Sequence, residues 1–193
     1  MRKKMIVATK HRLNFFIRFT DYWEETGHAL TGLEITSLDV KAEHGLVGTT
    51  QGVYVSRDAG KNWTLESEGI KTPHVRWVSV HPQDPRFLFV GTEPANIFSK
   101  MIDNDRWQQA QEVAELRDQN DWFMPYSPNP GCVRGFAFHD NRIYASVEVG
   151  GLLFSDDYGD SWSLVPGSSG KPHQEAEPGQ IYPDVHSVET HAV

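Results

Sequence analysis

The chain has one cysteine, Cys132, so no disulfide can form within it. Its fold must be held by burial rather than by covalent staples. It has no run of 18 or more apolar residues, which excludes a helical membrane span. Positive charge is scarce: 18 Lys and Arg stand against 26 Asp and Glu, a formal net charge of −8. Such a chain has no global attraction to polyanions, so nucleic acid is not an expected partner. There is no phosphate-binding loop, dinucleotide fingerprint or nucleophile elbow, and no cofactor is expected. The basic opening Met1-Arg2-Lys3-Lys4 leads into an apolar stretch that Lys10, His11 and Arg12 cut short. No signal peptide is read there, and a cytoplasmic location is the expectation. His173, His186 and His191, with Glu175, Glu177 and Asp184, match no zinc spacing. They read as a solvated loop, with no metal expected.

What the chain does contain is a repeat. Ser56-Arg57-Asp58-Ala59-Gly60-Lys61-Asn62-Trp63 and Ser155-Asp156-Asp157-Tyr158-Gly159-Asp160-Ser161-Trp162 share the pattern S-x-D-x-G-x-x-W. Apolar runs precede both, and short alternating stretches follow, as in a β-hairpin. The aspartate can accept turn amides and the glycine supplies a positive φ, so Ser56, Asp58, Gly60, Trp63, Ser155, Asp157, Gly159 and Trp162 read as turn architecture. Weaker copies surround Trp23 and Trp107. The four tryptophans lie 40, 44 and 55 residues apart, a period that suits four-stranded blades.

Aligned on these turns, the 193 residues read as one all-β domain, a β-propeller of about four antiparallel blades. The blades fall around 5–30, 33–70, 74–120 and 132–167, with a final strand at 184–191. An innermost strand recurs as Ile35–Val40, Val75–Val80, Val133–Phe138 and Val185–Thr190. The long third interval holds a short helix near 108–116 and a Pro-rich loop. The opening blade has three strands. Either Val185–Thr190 completes it and closes a small ring, or the sequence is part of a larger, truncated propeller; an open version would favour oligomers through its bare edges.

The two boxes, with His81-Pro82-Gln83-Asp84-Pro85 leading to Val90-Gly91-Thr92-Glu93, resemble the sialidase-like BNR/Asp-box repeat superfamily. That superfamily includes sialidases, xyloglucan-degrading hydrolases, sortilin-type receptors and a photosystem II assembly factor. The resemblance implies the propeller and leaves activity open. Sialidase chemistry uses three arginines, a tyrosine–glutamate pair and an aspartate. Arg76 and Arg134 supply at most two of the arginines, and no motif places a Tyr–Glu pair.

In a propeller, innermost strands begin and second strands end at one axial face. Thr36, Arg76, Arg134 and His186 share the first position; Lys10, Thr50, Glu93 and Glu148 share the second. The expected ligand-binding set is therefore Arg76, Arg134, His186, Lys10 and Trp77, facing an anionic or polyhydroxylated ligand. Trp122, Phe123 and Tyr126 are further candidates for stacking surfaces. Glu93 and Glu148 are the candidate acid and base if the protein is a glycoside hydrolase. The leading expectation is a non-catalytic binding or scaffold propeller for a protein partner or a carbohydrate. A sialidase-like hydrolase and a non-functional truncated paralogue are the alternatives.

Overall fold

The structure, a computed structural model, describes residues 3–172 and 177–191. Fifteen strands and one helix are named among them. The first sheet holds β1 (Lys4–Thr9), β2 (Arg12–Arg18) and β3 (Trp23–Ala29). The second holds β4 (Ile35–Lys41), β5 (His44–Thr49), β6 (Gly52–Ser56) and β7 (Thr64–Leu65). The third holds β8 (Val75–Val80), β9 (Phe87–Thr92), β10 (Ile97–Met101) and β11 (Gln108–Gln109). After α1 (Gln111–Asn120) the fourth holds β12 (Cys132–His139), β13 (Arg142–Glu148), β14 (Gly151–Ser155) and β15 (Ser163–Leu164). Each sheet is an antiparallel meander in chain order.

The sheets pack face to face in succession, because strands buried on both faces need an apolar neighbour on each side. Leu13, Ile35 and Val47 are buried between the first and second sheets. Leu46, Val53, Val78, Val90, Phe98 and Trp107 fill the second gap. Phe89, Ile97, Val133, Phe136, Ile143 and Trp162 fill the third, and Val113 of α1 joins them. Among the described residues no core cluster joins the first sheet to the fourth, so the sheets form an open arc.

Both S-x-D-x-G-x-x-W turns fold alike. Asp58 Oδ1 accepts the Lys61 and Asn62 amides at 3.0 and 2.9 Å, and Asp157 Oδ1 accepts the Ser161 amide at 2.9 Å. Ser56 Oγ and Ser155 Oγ each accept the glycine amide of their turn at 2.9 Å. Gly60 and Gly159 have φ of 80° and 91°, and a Cβ there would stand 2.5 Å from Ile6 and 2.8 Å from Phe89, both in the preceding sheet. Glycine is thus needed both for the turn and for the approach of blade to blade.

Residues 184–191 form no strand, contrary to the expectation from their sequence. Thr190 Oγ1 donates to Phe138 O at 2.5 Å, which sets this segment beside β12 rather than on β1. A strand needs an edge to pair with, and the β1 edge lies in the sheet at the other end of the arc. No helix is long and apolar enough to cross a membrane among the described residues.

Candidate functional site

The innermost strands carry the same irregularity three times. The pairing of β4 with β5 slips between Ile35 and Ser37, that of β8 with β9 between Val75 and Trp77, and that of β12 with β13 between Val133 and Gly135. The residue passed over is Thr36, Arg76 or Arg134. A bulge re-aims the extra side chain out of the alternating pattern. Here all three line one cavity of about 360 Å³, with Trp77 and His186. Four of the five expected ligand-binding residues therefore converge. Lys10 does not join them: its Nζ lies 3.3 Å from Glu34 Oε1, with both side chains largely exposed.

The second-strand positions stand behind the bulges. Arg134 is hydrogen-bonded through Nε to Glu148 Oε2, and its Nη2 is close to the same oxygen. Glu148 also accepts the Tyr126 hydroxyl and is only 4% exposed. Burial, then the bond to Glu148, pushes the Tyr126 phenol up to about 12. Glu93 accepts Ser127 Oγ at 2.6 Å, and Arg76 Nη1 stands 3.6 Å from Glu93 Oε2, beyond hydrogen-bond range. The two arginines are thus held differently: Arg134 is hydrogen-bonded to its carboxylate, while Arg76 has the looser ion pair with Glu93 and also lines the cavity. Thr36 Oγ1, at the same mouth, is buried without a hydrogen-bond partner.

His186 Nε2 lies 3.2 Å from Asp184 Oδ1 and 3.9 Å from Glu148 Oε1. Ligand atoms of Glu148, Asp184 and His186 lie within 4.8 Å of one another. Arg134 already occupies the buried carboxylate of that trio, and its charge opposes a cation there. His173 and Glu175 lie outside the described residues. Cys132 is buried, and burial pushes its thiol up to about 11, so it is no nucleophile at neutral pH.

Among the expected stacking residues, Trp122 is corrected. It is fully buried and donates Nε1–H to Gly170 O at 2.8 Å, so it supports the loop from below. Trp77, Phe123 and Tyr126 are exposed. The Tyr126–Glu148 and Ser127–Glu93 contacts were not anticipated. Both come from the Pro-rich loop between α1 and β12, and only the unusually long third repeat hinted at an insertion.

No protein-family model matches the chain, and no curated protein does. Solved structures do. YCF48 from Cyanidioschyzon merolae is 11% identical with a TM-score of 0.53, over 84% of this chain and 58% of that one. YCF48 bound to a D1 peptide is 12% identical with a TM-score of 0.49, over 84% and 57%. An ancestral GH74 enzyme is 14% identical with a TM-score of 0.55, over 83% and 23%. The chain thus spans under two thirds of the YCF48 proteins and under a quarter of the GH74 enzyme. At such identities the likeness speaks for the fold, and with the four successive sheets it makes this chain an open run of β-propeller blades.

Proposed function

We propose that the protein is a non-catalytic binding propeller that takes an anionic group, carried by a protein partner or a glycan, at the mouth lined by Thr36, Arg76, Trp77, Arg134 and His186. The observation that carries this is the state of Arg76. It lines the cavity and is held by Glu93 only as an ion pair at 3.6 Å, with no hydrogen-bonded carboxylate. A planar fork of donors suits a carboxylate, and the 42%-exposed Trp77 offers an adjoining flat face. A cavity of about 360 Å³ accommodates a small acid or an acidic side chain. The test is titration with acidic peptides and with uronic and sialic acids, followed by amide and indole NMR shifts. Binding that Arg76→Met abolishes supports the reading; binding of every ligand unchanged in that variant overturns it.

One contact favours a second reading, a sialidase-like glycoside hydrolase using Glu93 and Glu148. The Tyr126 hydroxyl rests on Glu148 beside Arg134. Against it, the phenol is held firmly protonated and Glu148 is neutralised by Arg134, so neither group is poised to react. Hydrolysis of aryl glycosides, lost in Glu93→Gln and Glu148→Gln, would establish this reading instead. A chain that neither binds nor hydrolyses would fit a non-functional truncated paralogue.

A further inference from the structure

Two neighbouring residues of one loop reach the buried carboxylates of two different blades. Tyr126 donates its hydroxyl to Oε1 of Glu148, and Ser127 donates its own to Oε1 of Glu93 at 2.6 Å. Glu93 follows β9 of the third sheet and Glu148 ends β13 of the fourth, and both are buried. In each blade the other oxygen, Oε2, is the one that meets the arginine of the mouth. Arg76 Nη1 stands 3.6 Å from it in the third sheet, and Nε and Nη2 of Arg134 both approach it in the fourth.

The loop is anchored on both sides of this pair. Trp122 and Met124 are buried, and Trp122 is bonded to Gly170 O. The Ser127 N–H donates to Met124 O at 3.2 Å, which closes a turn, and Pro130 O accepts the Ala95 N–H at 2.9 Å, two residues beyond Glu93. Pro125 and Pro128 flank the pair, and a residue that precedes proline is biased to extended conformations, which narrows the choices of Ser127. The Asn129 N–H donates to Ser127 Oγ at 3.2 Å. A hydroxyl has one proton to give, and here it goes to Glu93.

A guanidinium and a carboxylate without competitors pair as a fork, two N–H groups on two oxygens, and this is their strongest arrangement. Neither arginine of the mouth has it, and in both blades a loop hydroxyl stands on the second oxygen. We infer that Tyr126 and Ser127 are positioning residues: they keep Glu148 and Glu93 from closing a fork on Arg134 and Arg76, so that guanidinium N–H groups remain for the anionic ligand of the binding reading, on which this role rests. The effect is larger at Arg76, whose approach to its glutamate is the looser. One loop thereby sets the reach of two arginines on separate blades.

The test reads the guanidinium first and the ligand second. Phenylglyoxal modification, located by peptide mass spectrometry, reports how readily each arginine leaves its carboxylate. In Ser127→Ala, Arg76 should react roughly tenfold more slowly than in the wild type, the worth of one charge-assisted hydrogen bond. Ser127→Thr keeps a hydroxyl and should react as the wild type does. Glu93→Gln added to Ser127→Ala should restore the rate, because an amide offers one acceptor oxygen and cannot close the fork. A serine that only supports the loop would give no such rescue by Glu93→Gln. Tyr126→Phe, with Glu148→Gln as its rescue, repeats the measurement at Arg134 should Ser127→Ala fail to fold. Affinity for glucuronic acid and for an acidic peptide should fall with the rate. Slower modification in a chain whose wild type binds neither acid upholds the positioning role and overturns the binding reading. Unchanged rates at Arg76 and Arg134 overturn the inference, and so does a fall that the glutamine variants do not reverse.

Discussion

The Asp39 carboxylate accepts the backbone N–H of Val80 at 2.9 Å, tying the innermost strand of one sheet to that of the next. Ser79 Oγ reaches the same oxygen at 3.3 Å, and Lys41 Nζ lies 2.8 Å from the other. Val80 is fully buried. Asp39→Ala leaves its amide without that partner and should lower stability by about 1–3 kcal/mol, read as a lower urea midpoint with an unchanged slope.

A second tie joins the same two sheets nearer the rim. The Lys100 ammonium, with no exposed side-chain surface, lies 2.6 Å from Glu66 Oε2, and Arg57 is bonded to the other carboxylate oxygen. Removing Glu66 leaves a buried cation unpaired, so Glu66→Ala should cost about 3 kcal/mol. Burial raises the Glu66 pKa, but hydrogen bonds from Arg57 and Lys100 outweigh it and the net shift is downward. Its contribution is therefore complete above the ordinary carboxylate range and fades as pH falls through the lowered folded value. Urea midpoints at pH 7 and pH 3 should converge between wild type and Glu66→Ala.

His81 should make the interface of the third and fourth sheets sensitive to mild acid. Its Nδ1 accepts the Asp84 amide at 3.1 Å, which puts the proton on Nε2, a buried atom without a hydrogen-bond partner. The rings of Phe138 and Tyr158 lie 5.0 and 5.5 Å away. Burial lowers the His81 pKa against an opposing pull from Asp84. The unfolded chain therefore binds this proton first, and stability falls as pH drops below about 6.5. His81→Leu should flatten the dependence of the urea midpoint between pH 8 and pH 5 relative to wild type.

Arg134→Met and Arg76→Met should differ in stability. Arg134 neutralises a carboxylate that is almost wholly enclosed, whereas Arg76 stands off from Glu93. Losing Arg134 should cost about 2 kcal/mol, and losing Arg76 under about 1 kcal/mol. Thermal unfolding of the two variants side by side measures the difference.

Much of this arrangement could be read from the residues. The turns at Asp58 and Asp157 fixed the phase, and the strands before them fell where alternation placed them. Trp23 marked a blade without any turn glycine, because the hairpin of β1 and β2 carries its own pattern. The bulges could not be seen. Val75-Arg76-Trp77 has the alternation of a regular strand, and only the pairing register shows that Arg76 is passed over. The tail misled for the opposite reason: Val185–Thr190 has the local pattern of a strand, but pairing depends on an edge at the other end of the arc. Tyr126 reached Glu148 through the course of a Pro-rich loop, for which sequence has no period.

The three bulges also bear on how such a face can change. In each blade the ladder resumes one residue later, whether the side chain passed over is Thr36, Arg76 or Arg134. The backbone detour tolerates a hydroxyl and a guanidinium alike. The mouth is thus built from three positions that share one backbone irregularity. A change of side chain there would alter the charge of the mouth without moving the pairing register, and only at Arg134 would it also strip a partner from an enclosed carboxylate.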